Sequence, residues 1–112
     1  MIKIYIYYNR IMKAELSKSN TKNKKYKVVL EKDGKKKTIN FGQRGAPDFT
    51  THKDPKRKEN YLARHAPREN WNDPFTAGYW SYHILWSEPT IDASVRKLRK
   101  RFPSLEIINK IT

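Results

Sequence analysis

The sequence predicts a single α+β domain in which a small, mainly antiparallel sheet built on a β-hairpin is packed by two or three helices. Three features of the 112-residue chain carry this prediction. Two β-rich runs flank an Asp-Gly pair, residues 69–86 are dense in aromatic groups without a single Lys or Arg, and residues 91–102 have the apolar period of a helix. A chain of this length has room for one hydrophobic core.

The first 25 residues differ in character from the rest of the chain. Residues 2–6 alternate isoleucine with Lys and Tyr, which is the period of a half-buried strand. Residues 11–16 either continue that strand or form a short helical turn. Residues 17–25 are polar and basic without any period, which indicates a mobile linker or arm. We therefore expect residues 1–25 to form an N-terminal strand plus a basic linker, and residues 26–112 to form the compact α+β domain.

The hairpin is predicted at Asp33-Gly34, because both residues at the centre of such a turn tolerate positive φ. Its strands are the β-rich runs 26–31 and 37–41. The next stretch, 42–51, contains two glycines and a proline and no period, which predicts a loop. This loop lacks the spacing and the Lys-Ser/Thr ending of a phosphate-binding loop, so a structural turn is the better interpretation.

Two Asp-Pro pairs predict helix starts, because an Asp side chain accepts from the orphan amides of a first turn while Pro loses no needed donor there. Asp54-Pro55 opens a helix expected over residues 55–66. Asp73-Pro74 opens a second helix expected over residues 75–86. Apolar groups fall on every side of this second helix, which indicates a helix that is packed all round.

The aromatic stretch is expected to form the centre of the core. It holds all three tryptophans, Trp71, Trp80 and Trp86, and each bulky aromatic side chain buries a large area. His83 lies within it and is expected to be a buried, hydrogen-bonded imidazole. We expect these aromatic side chains to be core residues that bind nothing.

The last helix has the clearest pattern in the chain. Thr90 can cap it, residues 91–102 form it, and Pro103 ends it. Residues 105–111 then alternate as a final strand. Four apolar residues at helical spacing form its expected inner face: Ile91, Val95, Leu98 and Phe102.

Charge is the most informative property for function. Twenty-five basic and eleven acidic residues give a formal net charge of +14, so the protein should attract polyanions and release their counterions on binding. With no cysteine, the chain has no disulfide framework and no thiolate metal site. The N-terminus lacks the features of a signal peptide, and no stretch is long and apolar enough to cross a membrane, so we expect a protein that is not secreted.

The cations form five separate clusters, at 22–27, 35–37, 53–58, 64–68 and 96–101. A single run of like charge is usually a solvated surface, and cations near the end of the last helix also interact favourably with its dipole. Five clusters call for a further explanation. Arginine dominates the clusters on the two helices, where its guanidinium suits bidentate phosphate contact, and lysine dominates the loops.

We therefore predict non-catalytic binding of nucleic acid, most simply duplex DNA, through phosphate contacts with little sequence preference. On the helix over 55–66, steps of four, three and four place Arg57, Tyr61, Arg64 and Arg68 on one stripe, while His65 is expected to face another way. The predicted contact residues are Lys35, Lys36, Lys37, Arg44, Lys56, Arg57, Lys58, Arg64, Arg68, Arg96, Lys97, Arg99, Lys100 and Arg101.

Catalytic and metal sites are less well supported. The three histidines lack the pairing of a zinc site, so no metal and no cofactor is predicted. Several acidic and histidine residues could in principle build a metal-dependent nuclease centre, but their spacing does not bring carboxylates to one point. Asp54 already has a sufficient role as a helix cap, and no enzymatic activity is predicted. The nuclease candidates are Asp48, His52, Asp54, Glu59, His65 and Glu69.

The combination of His52-Lys53-Asp54, Arg64-His65 and Ala77-Gly78-Tyr79-Trp80-Ser81, within matching blocks from Asp48 to Thr90, resembles an uncharacterised family of small basic proteins that recurs in nucleocytoplasmic large DNA viruses. The resemblance runs from about Tyr26 to Phe102. It carries over no functional residues. It implies a viral context, in which a basic protein would condense or package the genome inside the virion or act in the host cytoplasm or nucleus. The resemblance also leaves open a structural role against acidic capsid or lipid surfaces, with the nuclease as a third alternative.

Overall fold

The computed structural model describes residues 12–112, which form one four-stranded sheet and a set of helices. The strands are β1 (Met12–Lys18), β2 (Lys24–Lys32), β3 (Lys35–Gln43) and β4 (Leu105–Asn109). They lie in the order β3-β2-β1-β4. The pairs β1/β2 and β2/β3 are antiparallel, and β1/β4 is parallel. The predicted α+β fold with a mainly antiparallel sheet is therefore confirmed.

The helical part of the chain lies between β3 and β4. It consists of α1 (Phe49–His52), α2 (Pro55–His65) with a following 3₁₀ turn (Ala66–Arg68), α3 (Ala77–Trp80), which continues as a π-helix (Ser81–Trp86), and α4 (Ile91–Arg101). Within residues 12–112, no helix has the length and the apolar character needed to cross a membrane.

The hairpin forms as predicted, with Asp33 at φ 54° and Gly34 at φ 78°. The linker predicted over residues 17–25 is wrong: these residues complete β1, form a short turn and begin β2. A tight connection is possible because Asn23 adopts a left-handed conformation, φ 69°, in that turn. The strand predicted over residues 2–6 lies outside the described residues.

One face of the sheet packs against the helices and forms the core. Ala14 and Leu16 of β1 are fully buried, in alternation with exposed or half-buried neighbours. Because β1 lies between β2 and β4, the strand that begins at Met12 is an interior strand of the sheet. Tyr79 and Trp80 from α3 lie fully buried against this face, and the indole N–H of Trp80 donates to the carbonyl of Pro74 at 2.7 Å.

The other face of the sheet carries a charged row. The register places Lys36, Glu31, Lys13 and Glu106 side by side across β3, β2, β1 and β4. Opposite charges therefore alternate from strand to strand, and each such cross-strand pair contributes roughly 0.2–1 kcal/mol. The outward face of the sheet is accordingly close to electrically balanced.

The aromatic segment begins its helix later than predicted. Thr76 is the N-cap of α3 and its side chain accepts from the amide of Tyr79, whereas the side chain of Asp73 accepts from the amide of Phe75. Phe75 thus precedes the helix and is 45% exposed, contrary to the predicted all-round burial. The predicted loop over residues 42–51 also contains α1, which Asp48 caps.

Candidate nucleic-acid interface and the adjoining cleft

Polar side chains cap helix α2 and hold its first turn in place. Asp54 caps it by accepting from the amide of Lys56, with Pro55 at the first helical position, as predicted. The ammonium groups of Lys53 and Lys58 each donate at 2.6 Å to backbone carbonyls in the turn before α4, those of Pro89 and Ser87 respectively. These contacts connect the start of α2 to the start of α4.

The cations of α2 and its 3₁₀ turn are largely in solvent. Lys56, Arg57, Arg64 and Arg68, which we call the α2 patch, are all exposed. The predicted stripe of Arg57, Tyr61, Arg64 and Arg68 is only partly right, because Tyr61 at its centre is 7% exposed. The rings of Tyr61 and Trp86 are parallel within 3° at a centroid distance of 4.1 Å.

Helix α4 has the capping and inner face that its sequence predicts. Thr90 accepts from the amide of Ala93, and Val95 and Leu98 are buried. Its outer cations are exposed. We call four of them the α4 patch: Arg96, Lys97, Lys100 and Arg101.

A cation of α2, Lys58, and a cation of α4, Lys97, both lie near Glu88. Lys97 pairs with Glu88, with Nζ 3.5 Å from Oε2. Partial burial lowers the pKa of Lys58, the nearby Lys97 cation lowers it further, and the Glu88 carboxylate opposes both effects. Lys58 donates to the carbonyl of Ser87 and Lys97 pairs with Glu88, so cations from the two helices contact the same short turn.

Arg99 and Arg44 have structural contacts. Arg99 donates to the carbonyl of Ile107 at 2.8 Å and so covers part of β4, an edge strand. Arg44 donates to the carbonyl of Lys24 at 3.0 Å, where β2 begins. Both guanidinium groups are exposed but also donate hydrogen bonds to backbone carbonyls of the sheet. They are therefore less free to move toward a ligand than the cations of the two patches.

The hairpin lysines do not form one projecting cluster. Lys36 belongs to the charged row on the outward face of the sheet, opposite Glu31. Lys37 lies on the other face, with its ammonium 5.8 Å from the ring centroid of Phe75. Lys35 is at the end of the strand, next to the turn. The structure therefore separates three neighbouring residues that the sequence groups together.

The arginines between residues 12 and 112 have no carboxylate partners. Within residues 12–112, no arginine forms an ion pair; the four ion pairs involve lysine or histidine. Thirteen of the fourteen predicted contact residues are exposed, and Lys58 is half-buried. The positive charge of the helices is therefore available at the surface of the protein.

A cleft of about 630 Å³ lies between α2, the ends of β2 and β3, and the helix formed by α3 and its π continuation. Its rim carries Arg57 and Arg64 of the α2 patch and also Lys24. Four cations and two carboxylates line it, which leaves an excess of two positive charges. This cleft is not predictable from local sequence patterns, because its walls come from four separate stretches of chain.

Three stacked rings line one wall of the cleft. His65 stacks on Tyr61 at 4.1 Å, and Tyr61 stacks in turn on Trp86. His65 therefore faces the same way as Tyr61, contrary to the prediction that it faces another way. The spacing of Tyr61 and His65, four residues apart on one helix, is the signal that could have indicated this. Burial, with the nearby Glu69 carboxylate, raises the pKa of Tyr61 to about 12 against the opposing effect of Arg64.

Five of the six nuclease candidates have other contacts, and the sixth, Glu59, is exposed. Asp48 is 3% exposed, caps α1 and pairs with Lys25 at 2.6 Å. Asp54 caps α2, and His52 accepts from the amide of Asp54 through Nδ1. Glu69 faces His65, with Oε1 3.8 Å from Nδ1. Among residues 12–112, no group of three or more His, Cys, Asp or Glu side chains is placed to hold a metal ion.

The family comparison covers the first part of this arrangement. A family of unknown function (DUF5754) matches residues 14–65, which is just under half of the chain. The match includes most of β1, which the resemblance noted above leaves out, and it ends with α2. No curated protein and no solved structure gives a significant match. Over its sheet hairpins and α2, the chain is thus similar to a family of unknown function.

Proposed function

We propose that this protein binds nucleic acid without catalysis and largely without regard to sequence, by contacts between its two helical patches and the phosphate backbone of duplex DNA. The observation that carries the proposal is the exposure of the α2 and α4 patches, whose arginines have no carboxylate partner within residues 12–112. Each exposed guanidinium can contact a phosphate without first breaking an internal ion pair.

The distribution of charge favours the helices over the sheet as the binding side. The outward face of the sheet alternates Lys36 and Lys13 with Glu31 and Glu106. Lys110 in addition pairs with Glu15, with Nζ 3.3 Å from Oε1. A polyanion would meet repulsion as well as attraction on that face, whereas the helices present mostly cations.

The contacts proposed here are to phosphates, which position a protein on DNA but carry no sequence information. Binding would therefore be indifferent to sequence and strongly dependent on salt. The resemblance to proteins of large DNA viruses makes a viral genome the natural ligand, and condensation or packaging the natural role.

The test is a titration of duplex DNA at several salt concentrations, comparing the wild type with a variant in which Arg57, Arg64 and Arg68 are changed to Gln. The logarithm of the affinity falls with the logarithm of the salt concentration by about 0.9 per phosphate contacted. Loss of three contacts should flatten that slope by about 2 to 3 units. Folding should be intact, because all three side chains are exposed.

A matched control removes three cations from elsewhere. Lys13, Lys27 and Lys110 lie at the outward face of the sheet or just beyond β4, and changing them to Gln alters the net charge by the same amount. Their loss should change the slope by less than about one unit. If the two triple variants reduce the salt slope equally, binding depends on net charge and not on the α2 patch. If the arginine variant leaves the salt slope unchanged, α2 is not part of the interface.

A further inference from the structure

We propose that the cleft beside α2 binds one unpaired nucleotide of a nucleic-acid strand, with its base against the His65–Tyr61–Trp86 stack and its phosphate on the cations of the rim. This inference rests on the proposed function and extends it, since a duplex alone offers no free base. A cleft of about 630 Å³ is of the size that holds small ligands.

The aromatic wall is suited to a flat ring. The three side chains are held in a column with centroid distances of 4.1 Å, and Tyr61 in its middle is nearly buried. A stack fixed by the core loses little conformational entropy when a base packs on it. Stacking on aromatic side chains accepts any base, so the site would share the sequence tolerance of the proposed duplex contacts.

The charges of the cleft indicate how a nucleotide would lie. Arg57, Arg64 and Lys24 are exposed at its rim and could contact phosphate oxygens. Glu69 lies beside His65 and would repel a phosphate placed there. We therefore expect the phosphate to contact Arg57 and Arg64, and the base to pack against His65 near Glu69.

Amide groups in the walls add hydrogen-bonding capacity. Asn60 from α2 and Gln43 from the end of β3 are exposed and line the cleft. Each side-chain amide has two donor hydrogens and one acceptor oxygen, so it can adapt to the edges of different bases. Asp48 lines the cleft as well, but its carboxylate already accepts from the ammonium of Lys25, from the hydroxyl of Thr50 and, as the cap of α1, from the amide of Thr50.

The test compares three duplexes of identical sequence by fluorescence anisotropy with the full chain. One duplex is blunt, one carries a short single-stranded overhang with bases, and one carries the same overhang built from abasic sugar-phosphate. The abasic overhang has the same charge without the bases. We expect the overhang with bases to bind about fivefold or more tightly than the abasic one. Equal affinities for the two overhangs would overturn the proposal.

Two variants assign the effect to the cleft. His65→Ala removes the exposed end of the stack and should abolish most of the preference for bases while leaving binding to the blunt duplex unchanged. Phe75→Ala removes an exposed ring outside the cleft and should leave the preference intact. A preference that survives His65→Ala, or that is lost in Phe75→Ala, would place base binding elsewhere.

The outcomes separate this inference from the proposed function. Tight binding of the blunt duplex, with no gain from an overhang that has bases, would retain phosphate binding and reject the nucleotide site. Preference for bases without measurable binding of the blunt duplex would reject duplex binding and retain the cleft. Urea unfolding of each variant confirms that a loss of binding is not a loss of folding.

Discussion

The carboxylate of Glu69 lies over the backbone of Gly78, so close that a Cβ atom at position 78 would be 1.7 Å from Oε2. Gly78 is in the first turn of α3, at a residue whose backbone conformation does not itself require glycine. The glycine therefore serves to make room for a side chain that lines the cleft.

A double-mutant cycle at these two residues should show coupling between them. Alanine stabilises a helix by about 0.5–1 kcal/mol relative to glycine, so Gly78→Ala should stabilise a Glu69→Ala variant by about that amount. In the wild type the new methyl group must displace the Glu69 carboxylate, the flexible end of a partly exposed side chain, so the gain should be smaller. Urea unfolding of the four proteins measures this difference. An equal effect of Gly78→Ala with and without Glu69 would show that the Glu69 carboxylate does not restrict position 78.

His83 should make the protein less stable in mild acid. Its Nε2 lies 2.7 Å from the carbonyl of Trp71, so the neutral ring donates there. Burial lowers the pKa of His83 to about 4; the hydrogen bond to Trp71 partly opposes this, and the Arg101 and Lys97 cations add to it. The unfolded chain takes up the proton near its ordinary pKa of about 6.5, whereas the folded chain does so only near 4.

The contribution of His83 to stability is thus complete above pH 6.5 and is lost as the pH falls toward 4, by about 3 kcal/mol in all. Carboxylates also titrate in part of this range, so the measurement is the difference between wild type and His83→Gln. Glutamine can donate to the Trp71 carbonyl but does not titrate. The free energy of unfolding of the variant should vary less between pH 7 and pH 4, and parallel curves for the two proteins would contradict the assignment.

Trp80 and Phe75 were predicted to share one buried helix, and they should respond very differently to truncation. Trp80 is fully buried at the centre of the core, so Trp80→Ala should cost about 3 to 5 kcal/mol and leave a marginally stable or unfolded chain. Phe75 is 45% exposed and its ring lies 5.8 Å from the ammonium of Lys37, so Phe75→Ala should cost about 1 kcal/mol or less. Urea unfolding compares them. A similar cost at both positions would mean that the aromatic segment packs differently.

The ion pair between Lys25 and Asp48 should contribute to folding. Only 5% of the Asp48 side chain and 16% of the Lys25 side chain are exposed. Asp48→Asn keeps a residue that can cap α1 but leaves the lysine without its counter-charge, which should cost about 3 kcal/mol. As the matched control, Lys110→Gln breaks the exposed pair with Glu15 and should cost less than about 1 kcal/mol. Equal unfolding midpoints for wild type and Asp48→Asn would assign the carboxylate a role other than stability.

Local signals in the sequence were sufficient for several elements. Helix α4 was predicted closely because its cap at Thr90, its apolar period and the proline at 103 agree with one another. The hairpin at Asp33-Gly34 was predicted for the same reason, since turn chemistry and flanking strands point to one structure.

Strand β1 and the start of α3 show where local signals fail. Both neighbours of Ala14 in β1 are charged, so its short apolar alternation was obscured, and its parallel partner β4 lies some ninety residues away. At α3, Asp73 and Thr76 are both capping residues, and only packing decides that Thr76 begins the helix. The cleft could not be predicted for a similar reason, because its residues come together only through tertiary structure.

The alternating row of Lys36, Glu31, Lys13 and Glu106 bears on how densely the protein can cover a long ligand. The electric fields of adjacent opposite charges cancel over short distances, so the outward sheet faces of neighbouring molecules would repel one another only weakly. The strong repulsion between copies would come from the helices, whose cations the bound strand itself neutralises. Crowded, side-by-side deposition along a genome would then meet little electrostatic resistance.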